Sequence, residues 1–298
     1  VNPFLFTYQC CGKDIDLAVR NATRIAETTG KCGDPCLLSI TPSLRLNPKV
    51  DAIVKEMKKS FSEVEVQVIG KELGHMDGWT AQNYMFGKVV YRAASTYRNC
   101  TAFFFMEPDC YPVRRGWWED LKAEYEAGGK PYMGVERPTM VKLPGMAVEP
   151  KGKHLNGVAF YPTDVLNRIP GIANIAGSNP WDALCGSRIH PHATKTKAIW
   201  IDISHKDWNA RELEELPKEV VLIHGNKDGS LFSLERPKIE QKSPAKEPEP
   251  VPPIVAQPEP PPPQIEPERE IVPTPLPQPV EPPVMKKRHA RRRRGWKG

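Results

Sequence analysis

Two carboxylates one residue apart, Glu107 and Asp109, close an unbroken apolar run that ends in three phenylalanines and Met106. Such a run reads as a buried strand. A strand is a rigid mount, so both acids would project from its tip into the crevice beyond it. A hard divalent cation, Mg²⁺ or Mn²⁺, takes one or two carboxylates together with phosphate oxygens and water, and this pair suits it. The competing reading is that Glu107 and Asp109 begin a solvated loop and cap a helix near Gly116. A second chemically capable group, His224, follows the apolar run Val220 to Ile223 and opens the glycine-bounded loop from Gly225 to Gly229, which carries Lys227. The absence of any G-x-G-x-x-G or P-loop pattern argues against a dinucleotide oxidoreductase or a P-loop NTPase.

The elements that must position these groups follow from periodicity. Pro3 to Tyr8 reads as a buried strand, and Ile15, Ala18, Val19, Ala22 and Ile25 form one face of a helix that Asp14 can cap and Gly30 and Gly33 close. Cys36 to Ile40 is the next strand, Pro48 to Met57 a short amphipathic helix, and Val64 to Val68 an alternating strand. The turn-rich stretch from Gly70 to Gly78 precedes a long helix from Trp79 to about Tyr97, which leads into the strand Thr101 to Met106. Strictly alternating strands and helices predict an α/β fold whose sheet is mainly parallel and flanked by helices. Its ligand site should lie beyond the carboxyl ends of the strands.

The segment Phe103 to Trp118, FFFMEPDCYPVRRGWW, resembles the acidic D-x-D-type motif of GT-A glycosyltransferases, with Glu107 in place of the first Asp. The resemblance covers residues 1–230 and is nearest to small viral, phage-type enzymes. It implies a GT-A-type (Rossmann-like) mixed sheet, a nucleoside-diphosphate sugar as donor, UDP-sugar foremost, and a Mn²⁺ or Mg²⁺ cofactor. In that scheme Asp109 is the main metal ligand, Glu107 acts through water or on the sugar, and His224 completes the metal site while Lys227 touches the diphosphate. Asp182 becomes the general base toward the acceptor if the anomeric centre inverts. Its alternative role is a charge favoured at a helix N-terminus. His154, Asn156 and Trp181 take sugar or acceptor positions, although Trp181 can equally belong to the core. Thr7, Tyr8, Gln9, Asp77, Gly78 and Asn83 are the expected neighbours of base and ribose, with a buried Tyr8 as the alternative.

Composition sets the frame. The chain has 298 residues, 39% of them hydrophobic, enough for a proper core. From about Pro237 onward it is rich in Pro, Glu, Lys and Gln and holds about half of the 33 prolines. We therefore expect a glycosyltransferase-like domain over 1–235, a disordered Pro-rich linker over 236–284 and a basic tail over 285–298. Eight of the cations behind the net charge of +6 sit between Lys286 and Lys297, so the expected folded part is not basic. The tail is a plausible tether for nucleic acid. With the viral resemblance, this makes a hydroxymethylated pyrimidine in DNA the expected acceptor, flipped out of the duplex to react. A glycan or protein acceptor, a nucleotidyltransferase and a non-catalytic binding module are the rival readings. No transmembrane stretch or secretory leader is evident, which gives an expected cytoplasmic location, that of the host if the protein is viral. The seven cysteines are odd in number and unlike a disulfide framework.

Overall fold

The computed structural model describes residues 2–73, 78–141, 149–174 and 180–234. The expected base-site residue Asp77 and the whole Pro-rich and basic tail lie outside the described residues, and Gly78 is the first residue of a helix. The chain runs β1 (Leu5–Cys10), α1 (Ile15–Thr29), β2 (Pro35–Ile40), α2 (Pro48–Met57), β3 (Glu63–Val68), α3 (Gly78–Thr96) and β4 (Ala102–Met106), the alternation expected from the sequence. It continues through β5 (Cys110–Pro112), α4 (Trp117–Gly128), β6 (Tyr132–Val141), β7 (Glu149–Pro162), α5 (Val165–Arg168), α6 (Trp181–Leu184) and α7 (Gly186–Ile189). The strands β8 (Ala193–Lys195) and β9 (Ile199–Ile201), the helix α8 (Ala210–Glu214) and the strand β10 (Leu222–His224) complete the order.

Seven strands form one sheet in the order β3-β2-β1-β4-β7-β6-β8. The first four are parallel, β7 runs antiparallel to both β4 and β6, and β8 returns to parallel against β6. The fold is thus mixed α/β with a mostly parallel sheet. A separate three-stranded sheet, β5-β10-β9, is built from short strands.

The apolar run of β4 is continuous because both faces of the strand are covered. Phe104 and Met106 join the core under α1, α2 and α4, with Phe6, Tyr8, Trp117 and Trp118. Phe103 and Phe105 point the other way and join Phe86, Val89 and Tyr161 under α3. Alternate residues of a strand face opposite sides, so one pentapeptide anchors two cores. At about 1.5–3 kcal/mol for each fully buried large apolar side chain, this strand is held firmly enough to fix the turn at its end. The helix α2 starts where the sequence specifies: Pro48 sits in its first turn and the Asn47 side chain accepts from the Lys49 amide at 3.0 Å. All seven cysteines are free thiols. No helix among the described residues is long and apolar enough to cross a membrane.

Candidate active site

Beyond Met106 the chain turns sharply. The Cys110 amide donates to the Glu107 carbonyl at 3.2 Å, with Pro108 at the second position of the turn, where its fixed φ suits the geometry. Glu107 and Asp109 therefore flank a pre-set proline corner and start no helix. The helix α4 is capped instead by Gly116, in the left-handed region with φ 77°. The strand that leaves the corner, β5, pairs antiparallel with β10 and sets Cys110 opposite His224. The next two amides, those of Gly225 and Asn226, both donate to the Asp109 carbonyl, at 3.2 and 2.8 Å. Gly225 is needed there, since its φ is 122° and a Cβ would stand 2.4 Å from the Asp202 carbonyl oxygen. The small second sheet thus clips the histidine loop onto the acidic corner.

The three side chains meet. His224 Nε2 lies 3.4 Å from Glu107 Oε2 and 3.4 Å from Asp109 Oδ1. Asp109 and His224 are buried, and Asp109 Oδ1 has no hydrogen-bond donor among the described residues. Burial pushes the Asp109 carboxyl above the ordinary range, with the charge of His224 pulling against it and that of Glu107 adding to it. Burial also works to raise Glu107, but the hydrogen bond and charge of His224, with Lys227 and Lys13 behind them, prevail and leave it below the usual carboxylate value. For His224, burial opposes the cation, and Asp109 and Glu107 outweigh it and raise its pKa. A buried carboxylate oxygen without a donor, beside a second carboxylate and a ring nitrogen, is a donor set that fits a hard divalent cation. The Cys110 thiol also stands within 4.8 Å of the Asp109 and His224 donor atoms. Burial first, then Asp109 and Glu107, push it far up, so it stays a protonated thiol beside the oxygen donors.

A cleft of about 620 Å³ opens beside this cluster, beyond the carboxyl ends of β1, β2 and β4, with Gln9, Lys13, Glu72, Glu107 and Lys227 in its wall. That is the size of a site for a small ligand of nucleotide dimensions. Of the three strand-exit residues expected there, only Gln9 arrives, its Nε2 donating to the Met106 carbonyl at 2.6 Å. Thr7 and Tyr8 sit deeper in the strand, fully buried, and spend their hydroxyls on the carbonyls of Phe104 and Ala18. Asn83 is likewise turned inward: buried, its Oδ1 accepts the Trp181 amide at 2.7 Å, while Ala81, Gln82 and Met85 of the same helix reach the cleft. Asn83→Ala should lower stability by about 1–3 kcal/mol, because the buried Trp181 N–H loses that acceptor, and thermal unfolding would register the loss. Lys13, the basic residue that ends the segment Tyr8 to Lys13 just after β1, also lines the cleft.

The short helix α6 also comes close to Glu107. Gly157 in β7 marks the junction: a Cβ there would lie 3.8 Å from Asp182 Oδ2, 3.9 Å from Glu107 Oε1 and 3.5 Å from Trp181. The two carboxylates therefore border one gap beside Gly157, with room for a methyl group at ordinary contact distance. Burial raises the Asp182 pKa to about 7, with the Ala183 amide opposing and the Glu107 charge assisting. His154 Nε2 is 4.0 Å from Asp182 Oδ2, and its Nδ1 pairs with Thr139 Oγ1 at 3.0 Å. Trp181 is no platform for a sugar: it is buried and stacks on Phe86 with ring centres 3.5 Å apart and planes 4° from parallel. Asn156, expected among the sugar contacts, meets His224 Nδ1 with its Oδ1 at 3.0 Å. Sequence reasoning does not single out Gly157. Its role can be tested by size. Gly157→Ala should be tolerated, whereas Gly157→Leu would fill the gap and cut turnover by ~10²-fold with nucleotide binding retained, measured by separate rate and binding assays.

No protein-family model and no curated protein matches the chain. Among solved structures it is similar to mouse xyloside xylosyltransferase 1 in its apo form, at 10% identity and a TM-score of 0.46, over 76% of this chain and 99% of that one. It is also similar to S. aureus TarS, at 11% identity and a TM-score of 0.43, over 65% of this chain and 35% of TarS. For the apo bifunctional glycosyltransferase WbbM the figures are 9% and 0.48, over 75% of this chain and 45% of that one. Likenesses this distant carry no weight for activity.

Proposed function

We propose that the chain is a metal-dependent glycosyltransferase of GT-A type that moves a sugar from a nucleoside diphosphate to an acceptor hydroxyl. The observation that carries the reading is the buried, donor-less Asp109 Oδ1 beside His224 Nε2, with Glu107, which lines the cleft, at the same distance from that nitrogen. Asp109, Glu107 and His224 would hold a divalent cation, Mn²⁺ or Mg²⁺, which when bound offsets the negative charge that gathers on a departing diphosphate. Lys227 and Lys13, in the same wall, add positive charge toward the phosphates, and Gln9 borders the base and ribose end. Asp182, with a pKa near neutrality and no lysine or arginine bound to it among the described residues, takes the proton of the acceptor hydroxyl across the Gly157 gap, with His154 behind it. The base assignment commits the reaction to inversion.

UDP-sugars are the donors to test first. Hydroxymethylated DNA is the first acceptor to test on account of the eight tail cations. One observation favours a second reading: Gly12 and Lys13, just after β1, line the cleft, where a nucleotidyltransferase would also place a basic loop. Incubation with nucleotide sugars and Mn²⁺ separates the two. Release of a nucleoside diphosphate, abolished by EDTA, supports glycosyl transfer. Release of pyrophosphate, or release undiminished by EDTA, rejects it.

A further inference from the structure

The Asn156 amide has a defined orientation. Its Oδ1 receives the Val158 amide at 3.1 Å, and a backbone N–H can only donate, so the atom in that position is the oxygen. The same oxygen lies 3.0 Å from His224 Nδ1. An acceptor facing a ring nitrogen requires a proton on that nitrogen, and in a neutral imidazole the other nitrogen then carries the lone pair. That other nitrogen, Nε2, is the one 3.4 Å from both Glu107 and Asp109. The two carboxylates are the stronger acceptors and pull the other way, toward a proton on Nε2. A ring left to them alone would give its lone pair to the wrong side.

We propose that Asn156 is a positioning residue that holds a proton on His224 Nδ1, so that when the ring gives up its second proton, as a metal ligand must, the lone pair appears on Nε2, turned toward Glu107 and Asp109. The proposal deepens the metal reading given above and rests on it for its consequence, though not for its geometry. Outer-shell partners of this kind typically change metal affinity about 10- to 100-fold. Asn156→Leu removes the acceptor. Asn156→Asp retains it, since a carboxylate oxygen can still receive both the Val158 amide and Nδ1–H.

Two measurements on the full chain separate the device from the metal reading. The first is a proton–nitrogen NMR correlation of the histidine rings without metal, at alkaline pH where the ring is neutral, with His224 assigned from the His224→Gln spectrum. The second is calorimetric titration with Mn²⁺. Wild type and Asn156→Asp should show Nδ1–H, Asn156→Leu should shift toward Nε2–H, and the leucine variant alone should bind Mn²⁺ about 10- to 100-fold more weakly. An Nε2–H ring in wild type, or an unchanged Nδ1–H ring in Asn156→Leu, overturns the proposal. The expected tautomers in wild type and Asn156→Leu, without Mn²⁺ binding by wild type, uphold the positioning of the ring and sink the metal reading.

Discussion

Asp109→Asn should cut turnover of a nucleoside-diphosphate sugar by about 10²- to 10³-fold, the scale on which loss of one group that stabilises developing charge is felt. The substitution keeps the shape of the side chain, and the backbone carbonyl that receives Gly225 and Asn226 is untouched, so the histidine loop stays in place. Stability should move the other way. Burial raises the Asp109 pKa, so the folded chain holds the ionised carboxylate less willingly than the unfolded chain does. Relative to a neutral amide, that contribution is present at acid pH and is lost as pH rises through the folded pKa. The metal-free asparagine variant should therefore unfold no lower than wild type at neutral pH and above. A protein that is inactive yet equally or more thermostable marks a group kept for chemistry.

The second large effect concerns Asp182. With a pKa of about 7, it is half-ionised near neutrality. If it takes the acceptor proton, kcat should rise through pH 7 and level off above it, and Asp182→Asn should flatten that rise while lowering kcat by about 10²- to 10⁴-fold. The sign of the stability change comes from the same shift. The folded pKa lies above the unfolded one, so the group favours the folded state fully below about pH 4, progressively less up to pH 7, and not at all beyond it. Asp182→Asn should accordingly raise the unfolding temperature most at pH 8 and least at pH 4. A rate profile that keeps its rise in the asparagine variant would assign the proton transfer elsewhere.

The order of elements up to β4 is legible in the sequence because each has a strong period: the one-sided apolar face of α1, the alternation of β3, and the unbroken run of β4 that needs cover on both faces. Glu107 and Asp109 are visible for the same reason, as polar residues closing an apolar strand. The meeting of His224 with them is not readable from local pattern. It depends on β5 and β10, three-residue strands whose pairing joins positions far apart in the chain. Orientation is the least legible. Thr7 and Tyr8 look like strand-exit residues, but β1 extends to Cys10, which leaves both below the rim. Trp181 and Asn83 look like ligand contacts, yet the stack on Phe86 and the bond to the Trp181 amide are tertiary facts that no spacing encodes.

If the acidic corner and His224 together grip a cation for a diphosphate, a Mn²⁺ titration monitored by electron paramagnetic resonance, with and without UDP, shows it most directly. Wild type should remove Mn²⁺ from the free signal, more tightly when UDP is present, and Asp109→Asn should leave the free signal nearly undiminished in both conditions. Equal Mn²⁺ uptake by the two proteins, or uptake by neither with UDP present, would contradict the account.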